Sequence, residues 1–341
     1  MNRPPVGEIE LIARLAEIFG KAPPEVILGI SDDCAALDLG GPDYLLWTVD
    51  ALVEKVHFDL AYTSLEKLGA KSLVVNLSDL AAMGGEPRYA LLTLGWPPER
   101  DLAGALEFGA GLAACARQYG VAVIGGDTVA SPGQLSIALT VLGRVPKNEM
   151  LRRSGARVGD LVYVTGSLGE AAAGLEILSR KLEVNPRLGD PLIRAHVSPR
   201  PQVAAGRLLA RERLATACID LSDGVATDLM HLCRLSGVGA RLAAADLPVP
   251  AGVRTVAELM GRSLWELALM GGEDYQLLFT CPPDRVDSLA EVFMAAGLES
   301  PYRIGEIVSG GEVVLIIKEK EKIISGKGYE HFRLDLKKTS D

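Results

Sequence analysis

Cysteine is sparse and unpatterned in this chain of 341 residues: Cys34, Cys115, Cys218, Cys233 and Cys281 include no CxxC pair. A disulfide-stapled scaffold is therefore not expected, and reduced, buried thiols are. Histidine is scarcer still. His57, His196, His231 and His331 show neither HExxH nor Cys/His spacing, which removes zinc chemistry from consideration. There is no basic excess, since 35 Lys and Arg stand against 44 Asp and Glu for a net charge of −9, and a nucleic-acid groove would need a concentrated basic surface. No uncharged apolar run approaches the roughly 18 residues of a membrane span. The opening MNRPPVGEIELIARLAEIFG is amphipathic and lacks the unbroken apolar core of a signal peptide, so a soluble, cytoplasmic protein is expected. The familiar phosphate cradles are missing too. There is no GxxxxGK[ST], no GxGxxG after a strand, no kinase-type HRD or DFG and no GxSxG.

Glycine is what the chain has in excess: 37 residues, against roughly 7% in ordinary soluble chains, with many paired or beside Asp, where backbone turns tightly or approaches a ligand. With 48% hydrophobic residues, the length suffices for two domains with full cores. Apolar spacing predicts a helix over Glu8 to Phe19. ILGISDDCAALDL then reads as strand, turn and strand, and a strand from Tyr44 to Val49 stops on Asp50. A helix through SLEKLGAKSLVVNLSDLAA follows, then a strand from Tyr89 to Trp96 and a helix from Leu102 to Tyr119. A further strand meets a turn at Gly125, Gly126 and Asp127, and another runs from Leu135 to Val145. This order favours a mixed α+β sheet domain.

VPKNEMLRRSGARVGD reads as a domain junction. Beyond it come a strand from Leu161 to Thr165 and a helix over Gly169 to Leu178, whose start could turn free N–H groups toward an anion. Glu183 to Val197, with Pro186 and Pro191, is expected to be irregular. Gln202 to Glu212 is helical, Ala215 to Leu221 a strand, and Ser222, Asp223 and Gly224 a turn before a helix over Val225 to Leu235. A helix over Val256 to Leu269 and the run Gly271-Gly272-Glu273-Asp274 precede a strand from Tyr275 to Thr280. Val286 to Ala296 is helical and IGEIVSGGEVVLIIK reads as a hairpin.

The helix containing VVNLSDLAAMGG is unusual because Ser72, Asn76, Asp79 and Met83 share one face of an otherwise apolar segment. A buried carboxylate there needs a partner or a metal. The alternative is a polar stripe facing water together with Lys67 and Lys71. Acids at strand ends or in glycine turns supply the partners: Asp32, Asp33, Asp50, Asp79, Asp127, Asp220, Asp223 and Asp274. Each alone is an ordinary turn residue. Together they form an oxygen-rich set suited to Mg²⁺ shared with substrate phosphates, which points to nucleotide-dependent phosphoryl transfer. A carboxylate-paired glycoside hydrolase would leave the many glycine-flanked acids unexplained. His57 is a candidate base or ligand contact, with a hydrogen-bonded structural role as the alternative. Asn76 is read as fixing the helix against the turn that presents Asp127.

The ordered motifs GISDDCAAL, TVDALVEKVHF, NLSDLAAMGGEP, IGGDT, RRSGARVGDLVYVTGSLG, CIDLSDGVATDL, GGEDYQLLF and GYEHF extend over essentially the whole chain. In them the sequence resembles the thiamine-monophosphate kinases, members of the PurM-like ATP-binding superfamily. The resemblance implies an α+β, α/β two-domain PurM-like fold: an N-terminal mixed-sheet domain over 1–148 that pairs into a barrel in a homodimer, an α/β C-terminal domain over 149–333 and a charged tail over 334–341. It implies transfer of the ATP γ-phosphoryl group directly onto the phosphate of thiamine monophosphate, with several Mg²⁺ ions. Asp32, Thr48, Val49, Asp50, Asp79, Asp127, Asp220 and Asp223 are the implied metal residues, with Asp79, Asp127, Arg153 and Asp220 carrying the catalytic work. Gly126, Asp127, Arg153 and Ser222 would contact ATP. His57, Glu273 and Tyr329 would face the thiamine phosphate, Tyr329 against a ring. Because the acceptor is already an anionic oxygen, no general base is assigned.

Two departures stand out. Ser31 replaces a glycine usual in the first motif, and Val49 replaces a hydroxyl residue, so that any metal contact there would come from its carbonyl. A sister synthetase of the superfamily, or a non-catalytic nucleotide-binding protein that retains the fold, are the competing readings. The selenophosphate version of the first expects a reactive N-terminal Cys, whereas Cys34 lies inside the acidic motif.

Overall fold

In the computed structural model, which describes residues 7–324, the strands divide between two sheets. The first is built from β1 (Val26–Leu28), β2 (Ala35–Leu37), β3 (Asp43–Val53), β4 (Glu86–Trp96), β5 (Ala122–Ala130) and β6 (Ser136–Pro146), in the order β1-β2-β3-β6-β4-β5. All neighbours are antiparallel except β4 and β5. Side chains alternate along β3, β4 and β6. Leu46, Leu52, Ala90, Leu94, Ile137, Leu139 and Val141 face the core, while Trp47, Val49, Tyr89 and Leu91 are exposed on the other face.

The inner face is covered by α2 (Leu65–Ala82) and α3 (Leu102–Tyr119), which pack on each other; α1 (Glu8–Phe19) precedes the sheet. α2 starts where Ser64 accepts a hydrogen bond from the Lys67 N–H, and α3 where Asp101 accepts one from Gly104, each satisfying a donor the helix cannot. In α2 Lys71, Ser72, Asn76 and Ser78 are all buried, so the polar stripe does not face water.

The second sheet contains β7 (Leu161–Val164), β8 (Ala217–Asp220), β9 (Gly239–Ala243), β10 (Leu277–Cys281), β11 (Tyr302–Val308), β12 (Val313–Ile317) and β13 (Lys320–Ile323). Its order is β13-β12-β9-β11-β7-β10-β8. Around it lie α4 (Glu170–Arg180), α5 (Pro186–Val197), α6 (Val203–Arg211), α7 (Val225–Ser236), α8 (Ala251–Leu259), α9 (Leu264–Met270) and α10 (Val286–Ala295). α6 packs on the end of α2: a Cβ on Gly206 would overlap the Ala81 carbonyl oxygen, so the backbones touch. Ala81 and Ala82 share a core with Ala205, Leu208 and Leu209. All five cysteines are buried and free.

Several elements depart from the sequence expectation. β3 does not stop at Asp50 but continues to Val53, because β6 pairs with it along its full length. Gly125 and Gly126 do not turn the chain: they lie inside β5 beside a bulge against β4, and Gly126 (φ +153°) sits where a Cβ would strike the Leu92 carbonyl oxygen. The segment 183–197 is not irregular. Pro186 occupies the first turn of α5 behind an Asn185 cap, which favours a helix rather than breaking it. The single helix expected over 256–269 is two, α8 and α9, separated at Gly261 (φ +62°). β11 and β12 are not a hairpin, because β9 inserts between them; β12 pairs instead with β13.

Candidate functional site

Asp33, Asp79 and Asp220 meet between the two sheets, with ligand oxygens all within 4.8 Å of one another. Each arrives from a different element: Asp33 from the turn after β1, Asp79 from the buried face of α2, Asp220 from the last position of β8. Thr48 donates its hydroxyl to Asp79 and Ser78 donates one to Asp220 at 2.6 Å. Burial pushes the Asp79 carboxyl well above the usual carboxylate range, and Asp50, Asp220 and Asp33 add to it, against the Thr48 hydrogen bond. Asp220 is raised in the same way, by burial first and then Asp33, with Ser78 and Arg153 opposing. Asp33 Oδ2 is buried and makes no hydrogen bond. A hard, oxygen-only donor set with an unsatisfied carboxylate oxygen suits a divalent cation such as Mg²⁺.

The surrounding groups complete this arrangement. Arg153 places its guanidinium 2.6 Å from Asp33 Oδ1 and its backbone N–H 3.2 Å from Asp32 Oδ1. Asp32 is pushed up to about 6, chiefly by burial and then by Asp33, against backbone hydrogen bonds from Asp33 and Arg153. Asp50 also rises to about 6, through burial and then Asp223. The Asp50 N–H donates to Asn76 Oδ1 at 3.1 Å. Asn76 therefore pins α2 to β3 and has no part in holding the strand of Asp127. Asp223 and Gly224 turn their N–H groups onto the buried Asp228 carboxylate.

Three expected members, Asp127, Gly126 and Val49, are elsewhere. Asp127 shares a row with Thr93, Ala138 and Ala51, on the sheet face opposite Asp50. It lies three strands from β3, about 14 Å at ordinary strand spacing, so within one chain it and Gly126 stand apart from the cluster. Val49 is exposed on that same far face, so the hydroxyl its replacement removes was not directed at Asp79. Tyr329 lies outside the described residues.

Asp50, Asp79, Asp220, Ser222 and Asp223 form the floor of a cleft of about 1080 Å³, whose walls include His57, His196, Leu267, Met270 and Glu273. His57 accepts a 3.0 Å hydrogen bond from the Val53 N–H at Nδ1, which leaves the proton of the neutral ring on Nε2. Glu273 (φ +68°) is held by its N–H to the Ser222 carbonyl at 2.8 Å and faces Lys71 Nζ at 2.9 Å. Burial alone would raise Glu273, but Lys71 and then His196 outweigh it and hold the carboxyl at about 2.

The start of α4 is not an open anion site. The Asp274 carboxylate already accepts from the Gly169 N–H at 2.6 Å and the Ala171 N–H at 3.1 Å, while burial lifts it to about 7. Sequence reasoning counted Asp33 among the strand-end acids but left it out of the ligand set, and considered Lys71 only within the alternative in which the polar stripe faces water. A signal for Lys71 was present: it sits two turns before Asp79 on the buried stripe.

The sequence matches the family models for the AIR synthase related protein, N-terminal domain, over residues 31–145 and C-terminal domain over residues 157–318. It is 39% identical over 336 residues to the thiamine-monophosphate kinase of Escherichia coli (strain K12), covering 96% of this chain and 98% of that one. Among solved structures it is similar to AaThiL complexed with AMPPCP and TMP, with a TM-score of 0.83 and 32% identity over 96% of this chain and 97% of the other. The thiamine-monophosphate kinase from Stenotrophomonas maltophilia K279a gives a TM-score of 0.74 at 35% identity, over 90% and 95% of the two chains.

Proposed function

The chain belongs to the thiamine-monophosphate kinase family of AIR synthase related proteins, and on that premise we propose that it phosphorylates thiamine monophosphate to thiamine diphosphate at the expense of ATP. The observation that carries the reading is the convergence of Asp33, Asp79 and Asp220, with one buried oxygen of Asp33 unsatisfied, beside a cleft large enough for two substrates. Asp33, Asp79 and Asp220 would hold Mg²⁺ together with Asp50, Asp223 and Asp32. When bound, the ions supply the positive charge that lets two anionic phosphates approach and that offsets charge on the transferring group.

The chain's own groups then position. Thr48 and Ser78 fix the carboxylates of Asp79 and Asp220 through hydroxyl hydrogen bonds. Arg153, tied to Asp33, is the proposed charge clamp on the nucleotide, with Ser222 as a further ATP contact; Gly126 and Asp127, which stand apart from the cluster within one chain, would make theirs only across the subunit boundary. His57 and Glu273 are the proposed contacts to the thiamine phosphate; the same role for Tyr329, outside the described residues, rests on the family resemblance alone. The acceptor oxygen is already anionic, so direct in-line transfer asks for alignment and electrostatic stabilisation rather than a base.

The working arrangement is a cytoplasmic homodimer of chains with domains over 1–148 and 149–333. The exposed apolar face of β3 and β4 supports the pairing. Asp127 shares that face and would lie at the subunit boundary. No described helix is long and apolar enough to cross a membrane.

Incubation of the purified chain with ATP, Mg²⁺ and a panel of phosphorylated acceptors, following ADP and product, tests the proposal. Thiamine diphosphate is the expected product, and Asp79→Asn is expected to abolish turnover. Undiminished turnover in that variant contradicts the metal role of Asp79. ATP binding without product on thiamine monophosphate favours the non-catalytic alternative.

A further inference from the structure

We propose that Lys71 is a positioning residue, which holds the Glu273 carboxylate at the cleft wall in one orientation and cancels its charge, with His196 packed beside the pair; this rests on the kinase reading above. Lys71 is only 4% exposed, so water does not solvate its ammonium group. Nζ donates to Glu273 Oε2 at 3.0 Å and to the His196 carbonyl oxygen at 3.2 Å, and lies 2.9 Å from Glu273 Oε1. His196 is equally buried at the end of α5. Its Nδ1 stands 3.0 Å from Glu273 Oε2 without an aligned hydrogen bond, and its ring lies 6.0 Å from Tyr62.

These contacts join elements that are distant in sequence. Lys71 rides on α2, the helix that carries Asp79, whereas Glu273 sits in the run between α9 and β10 with a positive φ that a non-glycine residue keeps only when its surroundings hold it. Its backbone is held by the Ser222 carbonyl oxygen, and its carboxylate is oriented by Lys71 on α2. Its chemical setting explains the need. Beside Asp50, Asp79 and Asp220, and facing phosphorylated substrates, an uncompensated carboxylate would repel the acceptor phosphate. Paired to Lys71, it presents oriented oxygens without a net negative charge.

The test compares wild type, Lys71→Met, Lys71→Arg, Glu273→Gln and the double variant Lys71→Met/Glu273→Gln as full chains. Turnover is measured at saturating MgATP with thiamine monophosphate varied. Lys71→Met is expected to raise the KM for thiamine monophosphate about tenfold or more while kcat changes far less, with partial recovery in Lys71→Arg. The double variant is expected to be no worse than Lys71→Met, because the two residues act as one unit. A Lys71→Met enzyme with wild-type KM, or one that loses kcat and MgATP affinity alike, overturns the proposal.

If Lys71→Met does not fold, the double variant carries the comparison, and a wild-type KM there also overturns it. A wild-type chain inactive on thiamine monophosphate sinks the kinase reading alone. The network is then judged by calorimetric affinity for thiamine monophosphate, where equal values for wild type and the double variant overturn it.

Discussion

Ser78 donates a 2.6 Å hydrogen bond to Asp220, joining the buried face of α2 to the last residue of β8. The acidic cluster is thereby tied between a helix that covers the first sheet and a strand of the second. Without a cation, these carboxylates are held close together against their mutual repulsion.

That confinement gives the metal-free protein a defined pH response. Asp32 and Asp50 are both raised from 3.8 to about 6, and burial also pushes Asp79 and Asp220 well above the usual carboxylate range. A raised carboxyl binds its proton more readily folded than unfolded. Its stabilising contribution is full below the unfolded value and is lost as pH rises through the folded one. Glu273, lowered from 4.5 to about 2, stabilises fully above its unfolded value and loses that contribution progressively as pH falls from 4.5 toward about 2, chiefly below this window. The Tm in EDTA is therefore expected to fall from about pH 4 to about pH 7, and Mg²⁺ to raise it more at high pH, where protons no longer compete. Scanning fluorimetry across the range checks both. A rising Tm in EDTA, or a Mg²⁺ effect independent of pH, contradicts the account.

Ser31 occupies a backbone position at φ +131°, in the region that favours glycine. Ser31→Gly is expected to stabilise by about 1 kcal/mol, visible as a Tm rise of about 2 °C, with turnover kept. A lower Tm would mean that the serine side chain contributes more than its backbone costs.

Leu91 is exposed on the far face of the first sheet, in a row with Val49. Leu91→Asp would place a charge in the proposed subunit interface without touching the core. Multi-angle light scattering is expected to show the wild type as a dimer and the variant shifted to monomer. A variant that remains dimeric would put the interface elsewhere on the chain.

Much of this was legible before any coordinates. The 3.6-residue spacing of apolar positions marks α2 and α3, and their ends are written in Ser64, Asp101 and Gly120. Asp79 is conspicuous because it is a carboxylate on the polar face of an otherwise apolar segment. Other features depend on partners distant in sequence. The continuation of β3 past Asp50 comes from pairing with β6, and the insertion of β9 between β11 and β12 leaves no local mark. Asp32 and Asp33 are adjacent and chemically identical, so only the position of Arg153 and the two sheets decides that Asp33 joins the cluster. Asp127 shows the same limit. Its glycine-flanked setting resembles the other acidic turns, while strand alternation assigns it to the opposite face.

The backbone contact between Gly206 and Ala81 has a consequence for how the protein comes apart. One end of α2 is buried with α6 and the other with the first sheet, so neither half can loosen without stripping the helix that the other needs. Heat should therefore melt the two halves as a single cooperative unit, and hydrogen exchange along α2 should report the global opening free energy rather than a local one.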